Sequence, residues 1–384
     1  MSEPRVAVVG GGVMGLATAW ALVRRGARPV VLERFGRGHH EGASHGATRN
    51  FNNAYAQEHY LDLLVRAREG WDALSDPDGE QLLRLHGLVT HGTSNDLGGG
   101  DLSSVHAALT ARGIPADLLD GVEAARRWPG MRFEETVLFS PDAGVVRAAA
   151  AIERLEALVV AGGGSVRWAE PVERIERRDD GATVHLRSGE TVDADVVVVT
   201  AGAWTRPLLG DVRLPRLTVT EESPAHFRPT TAGWPSFNHV VDPDTYPAAI
   251  YGMPTPGEGV KVGFHGVGPE VDPDARPHRP TLQAELAAYV REWLPGLDPT
   301  TAEPISCTYT STPDGAFVLD RIGSLVVGAG FSGHGFKFAP GIGAVLADLA
   351  LDAGALAAEP FRVARRSVAG ELARADEARA DEPS

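Results

Sequence analysis

The sequence predicts an α/β fold, α+β overall, in which a discontinuous nucleotide-binding domain carries an inserted second domain built on a large, mostly antiparallel sheet. Three observations predict it. A strand, a glycine-rich turn, a helix and a second strand follow one another before residue 34. A run of four valines, 196–199, returns much later and closes on Ala201-Gly202-Ala203-Trp204. Residues 82–141 and the stretch after Pro215 change to short, alternating, proline-punctuated segments that read as strands of a different sheet.

The totals bound the function. A chain of 384 residues is too long for one small core and suits two lobes. The balance of 36 basic against 51 acidic residues gives a net charge of -15, which excludes a polyanionic partner such as nucleic acid. One cysteine excludes an internal disulfide and a multi-cysteine metal site, and no metal is assigned. Residues 6–23 form an uncharged run of eighteen, long enough to raise a membrane or secretory reading. Three consecutive glycines interrupt that run, no basic segment precedes it and no small-residue cleavage site comes before Arg24-Arg25. A cytoplasmic protein without a membrane partner is expected, as a monomer or small homo-oligomer.

In order, residues 5–9 read as a buried parallel strand, Gly10-Gly11-Gly12-Val13-Met14-Gly15 follows, 16–25 is a helix stopped by Gly26, and 29–33 is the next strand. Gly10 permits the tight turn, Gly12 lets backbone approach a pyrophosphate, and Gly15 lets helix and strand pack closely; Glu33 ends the second strand, where a carboxylate takes ribose hydroxyls. A lone G-x-G-x-x-G is no better than an ordinary glycine turn. In this Rossmann-like frame, closed by an acid eighteen residues after Gly15, it marks a dinucleotide site.

The motif serves NAD and FAD alike. Strands are read at 165–168 and 171–177, with a Gly181 turn into 183–187; the four-valine run has the signature of a strand covered on both faces, and such a late strand closing on Ala-Gly suits a discontinuous FAD domain better than a compact NAD one. That domain is assigned 1–81, 142–214 and 313–384, with 82–141 and 215–312 as the substrate domain. In the segment 41–52, Ser44 and Thr48 are candidate helix caps, and His45 and Arg49 read equally as surface residues. Residues 58–74 form an amphipathic helix whose Tyr60, Leu63, Leu64, Ala67 and Trp71 stripe reads as core. A loop at Gly98-Gly99-Gly100, helices at 101–112 and 282–293 and a fraying helical tail from Ala364 complete the expectations. Lys261 alternates with Val260 and Val262 and so faces away from them, the usual place of a solvated lysine.

Near the C-terminus, Ser306-Cys307-Thr308-Tyr309-Thr310-Ser311-Thr312-Pro313-Asp314-Gly315 is followed by Gly330-Phe331-Ser332-Gly333-His334-Gly335-Phe336-Lys337-Phe338 and an apolar helix over 342–351. A glycine loop entering a helix presents backbone N–H groups to an anionic or electron-rich ligand edge. Taken together, Gly10-x-Gly12-x-x-Gly15 with Glu33, Ser44-His45-Gly46-Ala47-Thr48-Arg49, Lys261-x-Gly263-x-His265, and Cys307-x-Tyr309-Thr310 with the Gly330 to Lys337 loop resemble the monomeric sarcosine oxidase and N-methyltryptophan oxidase family of flavin amine oxidases. The order and spacing of these motifs span nearly the whole chain, and the last pair is the specific part.

The resemblance implies FAD, attached through a thioether from Cys307 to the flavin 8α-methyl group; read alone, Cys307 is a buried free thiol. It implies that Lys261 activates O2, that His45 and Arg49 line the flavin, that His265 and Tyr251 line the substrate cavity, and that Lys337 holds a substrate carboxylate. Gly10, Gly12, Gly15, Glu33, Ser44, Thr48, Val172, Ala201, Gly202, Trp204, Gly330, Phe331, Gly333, Gly335 and Lys337 are assigned to the cofactor. One departure concerns the substrate. Where the sarcosine-type enzymes carry a second arginine, this chain has Asn52, which cannot form a charge-assisted bidentate pair. Ala47 also replaces an acidic residue of the family. His239 and Arg321 are candidate replacement cations.

The implied function is an FAD-dependent oxidase of a secondary or cyclic amine, such as an N-methyl amino acid or imino acid. A hydride equivalent passes from the α C–H of the neutral amine to flavin N5, an imine forms, and O2 is reduced to hydrogen peroxide. Asn52 keeps open a dehydrogenase or tailoring oxidoreductase acting on a bulkier metabolite without a clamped carboxylate. A non-catalytic flavin-binding subunit leaves Lys261, His265 and Lys337 unexplained, and an NAD dehydrogenase leaves Cys307 and the Gly330 loop unexplained.

Overall fold

The computed structural model describes residues 4–75, 79, 81–92 and 101–364. Its first layer is a six-stranded sheet in the order Val318–Ile322, Leu325–Ala329, Val196–Val199, Val6–Val9, Val30–Leu32, Ser165–Arg167. All neighbours are parallel except the first pair. The four valines of 196–199 pair in register with Val6–Val9 and are completely buried, because each face of the sheet has its own cover. Val6 and Val8 pack under the helices Val13–Val23 and Ala339–Leu351, and Ala7 and Val9 pack under the antiparallel strands Val172–Arg178, Gly181–Leu186 and Thr191–Ala194. The two helices meet at Gly343, where a Cβ would lie 2.5 Å from the Ala17 carbonyl carbon.

The second layer is an eight-stranded sheet running Leu297–Pro304, Ala225–Pro229, Gly259–Phe264, Ile250–Thr255, Ser236–Val240, Leu88–Gly92, Thr136–Ser140, Asp117–Asp120. Only the pairing of Ser236–Val240 with Leu88–Gly92 is parallel. Phe237, Val260 and Val262 face the helix Gln283–Trp293, so Asn238, Tyr251, Met253 and Lys261, one residue out of phase, face the other way. Small sheets tie the layers together. Thr218–Glu222 pairs with Cys307–Ser311, and Thr48–Phe51, Gly144–Arg147 and Leu83–Leu85 form a three-stranded sheet across the junction at residue 82.

The amphipathic helix spans Glu58–Leu74 with Trp71 fully buried in the core, and the next expected helix spans Leu102–Ala111, where the Asp101 carboxylate accepts from Ser104 N at 2.7 Å. The loop 98–100 and the tail beyond Ala364 lie outside the described residues. Among the described residues no helix is long and apolar enough to cross a membrane.

On the helix-covered face of the large sheet, His91 and His239 stand in register and stack with ring centroids 3.9 Å apart. His239 Nδ1 lies 3.0 Å from the Tyr289 hydroxyl, and Glu134 N donates to His91 Nδ1 at 3.3 Å. Burial pushes both rings down, His239 to about 3, and each is held neutral. An unfolded chain protonates these rings below about pH 6.5, whereas the folded one does not, so stability is lost as pH falls through that value. Thermal unfolding followed from pH 7.5 to pH 4.5 is expected to show a falling Tm whose slope is shallower in His91→Asn; an identical slope in wild type and variant contradicts the neutral stack.

Candidate active site

The turn after the first strand is built for close approach. Gly10 has φ +107°, and a Cβ there would sit 2.5 Å from the Thr200 carbonyl oxygen. At Gly15 a Cβ would sit 1.8 Å from the Gly10 carbonyl oxygen, so Gly15 sets the spacing of helix and turn without lining the site. Gly12 caps the helix Val13–Val23, and its first free N–H, on Val13, donates to Ser44 Oγ at 3.0 Å. Ser44 is therefore a helix cap, supplied from a distant loop rather than from the preceding residue. Glu33 is buried at the end of its strand: one carboxylate oxygen accepts from Gly11 N at 2.6 Å and the other from Phe35 N at 2.9 Å.

From this turn a cavity of about 970 Å³ runs between the two layers. At its nucleotide end Asp274, from the loop before the helix Gln283–Trp293, accepts from Trp204 Nε1 at 2.8 Å and pairs with Arg34 at 2.7 Å. Val172, Ala201 and Gly202 line the same stretch. The other end collects Cys307, His45, Arg49, Asn52, Tyr251, Lys261, His265 and Lys337 with the Gly330, Phe331, Gly333 and Gly335 loop. Thus residues from both layers, as far apart in sequence as Val9 and His265, meet in one channel.

Arg49 is held by its neighbours' backbone, donating to the Thr48 carbonyl at 2.9 Å and the Ala43 carbonyl at 2.7 Å, and its guanidinium lies over Phe336. The His45 ring nitrogens lie 2.7 Å from the Gly42 carbonyl and 3.0 Å from the Ser306 carbonyl, next to Cys307; burial nevertheless lowers the ring to about 4. Cys307 is half-buried and opposite Glu222 in its sheet. Lys261 is only 6% exposed, which overturns the solvated-face expectation: this side of the strand borders the cavity, not bulk water. Burial first, then repulsion from Arg49, lowers its ammonium to about 7. His265 sits 3.4 Å from the Tyr309 hydroxyl and is lowered to about 4 by burial, then by Lys337. Lys337 donates to the His334 carbonyl at 2.7 Å, faces the rings of Tyr55 and Phe338, and is lowered by burial to about 7.

Three expectations need correction. Thr48 neither caps a helix nor lines the cavity: it lies within the strand Thr48–Phe51, and its hydroxyl hydrogen-bonds with that of Thr255 at 2.7 Å. His239 stacks on His91 on the far face of the sheet, and Arg321 donates to the Leu349 carbonyl at 2.7 Å beneath a helix end; neither replaces an arginine in the pocket. Asn52 does line the cavity, with its Oδ1 accepting from Ala54 N at 2.8 Å. Residues the sequence reading did not single out there include Asn238, Met253, Tyr55 and His334. Period-two alternation from Tyr251 gives Met253, but the register that adds Asn238 is a long-range pairing with no local signal.

Residues 5–349 match the DAO family of FAD dependent oxidoreductases. The chain belongs to that family. It is 30% identical to monomeric sarcosine oxidase from Bacillus sp. (strain NS-129), over 90% of this chain and 92% of that protein. It is 29% identical to N-methyl-L-tryptophan oxidase from Salmonella heidelberg (strain SL476), over 94% and 98% respectively. Among solved structures, NikD, an amino acid oxidase essential for nikkomycin biosynthesis, superposes with a TM-score of 0.80 at 28% identity, covering 96% of this chain and 98% of that one.

The site fits the FAD that this family uses. The Cβ-free turn leaves room for a pyrophosphate against the helix N-terminus, Glu33 ends the second strand where a carboxylate would meet a ribose, and the cavity that begins at this turn is also lined by Cys307. The Gly10→Ala variant combines a left-handed backbone with a clash against Thr200. Purified protein is expected to retain less than about a tenth of the wild-type flavin absorbance, since the strained turn closes the pyrophosphate cradle; full flavin content contradicts this reading of the turn.

Proposed function

We propose that this FAD-dependent oxidoreductase oxidises a secondary or cyclic amine at the carbon bearing nitrogen, with FAD bonded to Cys307 and O2 as electron acceptor. The observation that carries the proposal is the meeting of Lys261, His265 and Lys337 with Cys307 in the channel that begins at the Gly10 turn. FAD supplies the two-electron acceptor and hands the electrons on to O2. The amine loses a hydride equivalent and a proton to become an imine, which water hydrolyses unless it is cyclic, and O2 takes up two electrons and two protons to become hydrogen peroxide.

The protein's part is electrostatic. Burial keeps His265 neutral and keeps the Tyr251 and Tyr309 hydroxyls protonated, so these three groups give no anion to hold a substrate ammonium. Beside Lys261, Lys337 and Arg49, the uncharged amine is the favoured form. Lys337 has an ammonium with three donors, one of which reaches the His334 carbonyl; we assign another to a substrate carboxylate. The Lys261 ammonium stabilises negative charge developing on O2. A second reading rests on Asn52, whose committed Oδ1 and neutral amide leave no permanent cation at its position: a bulkier substrate without a clamped carboxylate, with the same oxidation chemistry. The cytoplasm is the assigned location.

Acid-denatured wild-type protein is expected to keep its flavin, with intact mass raised by one FAD, and Cys307→Ala to release it; release from both removes the covalent assignment. Stopped-flow reoxidation is expected to slow about a hundredfold in Lys261→Met. In the wild type this rate falls as rising pH deprotonates Lys261, from about 7 upward, and in the variant it is flat. A fast, pH-independent reaction in Lys261→Met assigns O2 activation elsewhere.

A further inference from the structure

Asn238 occupies the central part of the large sheet, on the face turned to the cavity, and it lines that cavity. It is 1% exposed. Its Nδ2 donates to Thr90 Oγ1 on the adjoining strand at 3.2 Å, and its Oδ1 is buried with no hydrogen-bond partner among the described residues. A buried amide oxygen without a donor is costly, and such atoms in folded proteins are nearly always satisfied by protein, water or ligand. Asn50 Oδ1 repeats the pattern: it too is buried without a partner, and Asn50 lines the same cavity from the strand that joins Tyr251's strand through the Thr48–Thr255 pair.

The sheet register places this acceptor relative to the reaction centre. Asn238 is opposite Tyr251, and the next strand carries Gly263 opposite Tyr251 and Lys261 opposite Met253. Two strand spacings therefore separate Asn238 from Lys261, on the order of 10 Å. That is farther than the nitrogen and α-carbon of one small amine reach.

We propose that Asn238 is a specificity subsite that accepts a hydrogen bond from an uncharged N–H or O–H on the distal part of the substrate, so that the substrate is an amine with a polar, donor-bearing side group rather than the smallest N-methyl amino acid. The proposal rests on the amine-oxidation reading above and deepens it. A donor-bearing group satisfies Oδ1 on binding; an analogue without the donor leaves the oxygen buried and unpaired, the situation in which a site discriminates most strongly. Thr90, with no exposed surface, anchors the amide from the adjoining strand.

The test uses the holoenzyme and peroxide release with N-methyl-L-tryptophan, its indole-N-methylated analogue, and sarcosine. Wild type is expected to favour N-methyl-L-tryptophan over the analogue by roughly tenfold in kcat/KM, mostly through KM. In Asn238→Leu that preference falls to about onefold while the reductive rate at saturation is kept within a few-fold. Asn238→Ser, which retains an acceptor, restores part of the preference and stands in if the leucine variant fails to fold. An unchanged preference in the variants overturns the Asn238 assignment and leaves the amine reading intact. Preference for the methylated analogue or for sarcosine in the wild type also overturns it. No peroxide and no flavin reduction with any of the three, or with a wider amine panel, overturns the amine reading and this subsite with it.

Discussion

Everything in the site depends on the contact between the Gly10 turn and its neighbours. Gly10 lies against Thr200 at the end of the valine strand, and Gly15 lies against Gly10. These two contacts fix where the helix Val13–Val23 begins and which way its free N–H groups point. Because Thr200 follows a strand far along the chain, its contact with the turn exists only where the late strand Val196–Val199 is paired with Val6–Val9. The nucleotide cradle is thus a tertiary object that reads like a local motif. Ser44 makes the same point from another direction: a loop residue satisfies the Val13 N–H that a local cap would otherwise have taken.

The nucleotide half was legible because its determinants, although some are tertiary, leave a local trace in the sequence. Glycines where no Cβ fits, an acid at a strand end and a four-valine run need no partner to be recognised. The substrate half was less so. Lys261 was found only by resemblance, since strand alternation assigns a face but does not say what covers it, and here the face borders the cavity. Thr48 misled because a threonine before an arginine-containing segment reads as a cap, while the chain continues as a strand pairing with Gly144–Arg147. Asn238 and Thr90 carry no motif. Their meaning appears only when a parallel pairing joins residues about 150 positions apart and leaves one amide oxygen without a donor.

The two faces of that sheet solve opposite problems with polar groups. On the helix side, His91 and His239 are buried as a neutral stack, with ring nitrogens meeting Tyr289 and the Glu134 backbone. On the cavity side, adjacent residues in the same two strands, Thr90 and Asn238, make one bond and leave one acceptor over. Each arrangement leaves one buried atom without a partner, His239 Nε2 on the helix side and Asn238 Oδ1 on the cavity side, and only Asn238 belongs to a residue that lines the cavity. Residues one position apart on a strand can therefore differ in kind, one structural and the next recognising a ligand, without any difference in burial.

On the function proposed above, Lys337 and Asn52 together set how the pocket meets a substrate carboxylate. An arginine at position 52 would stay charged at any working pH, giving a permanent clamp. With Asn52 neutral and its Oδ1 turned back to Ala54 N, the carboxylate contact proposed above falls to Lys337, in a pocket that Arg49 and Lys261 also line, and burial has lowered the Lys337 ammonium to about 7. Keeping it protonated without an anion costs about 5 kcal/mol relative to water. An arriving carboxylate offsets that cost and draws the proton back, so carboxylate binding and Lys337 protonation are linked, and each favours the other. The sign follows: carboxylate recognition is strongest below about pH 7 and weakens above it. The neutral amine demanded by the oxidation step becomes more abundant in the opposite direction. A carboxylate contact made by one titratable lysine therefore works over a window bounded on the acid side by the substrate's nitrogen and on the alkaline side by Lys337. A substrate that draws part of its affinity from uncharged hydrogen bonds is less confined by that alkaline limit.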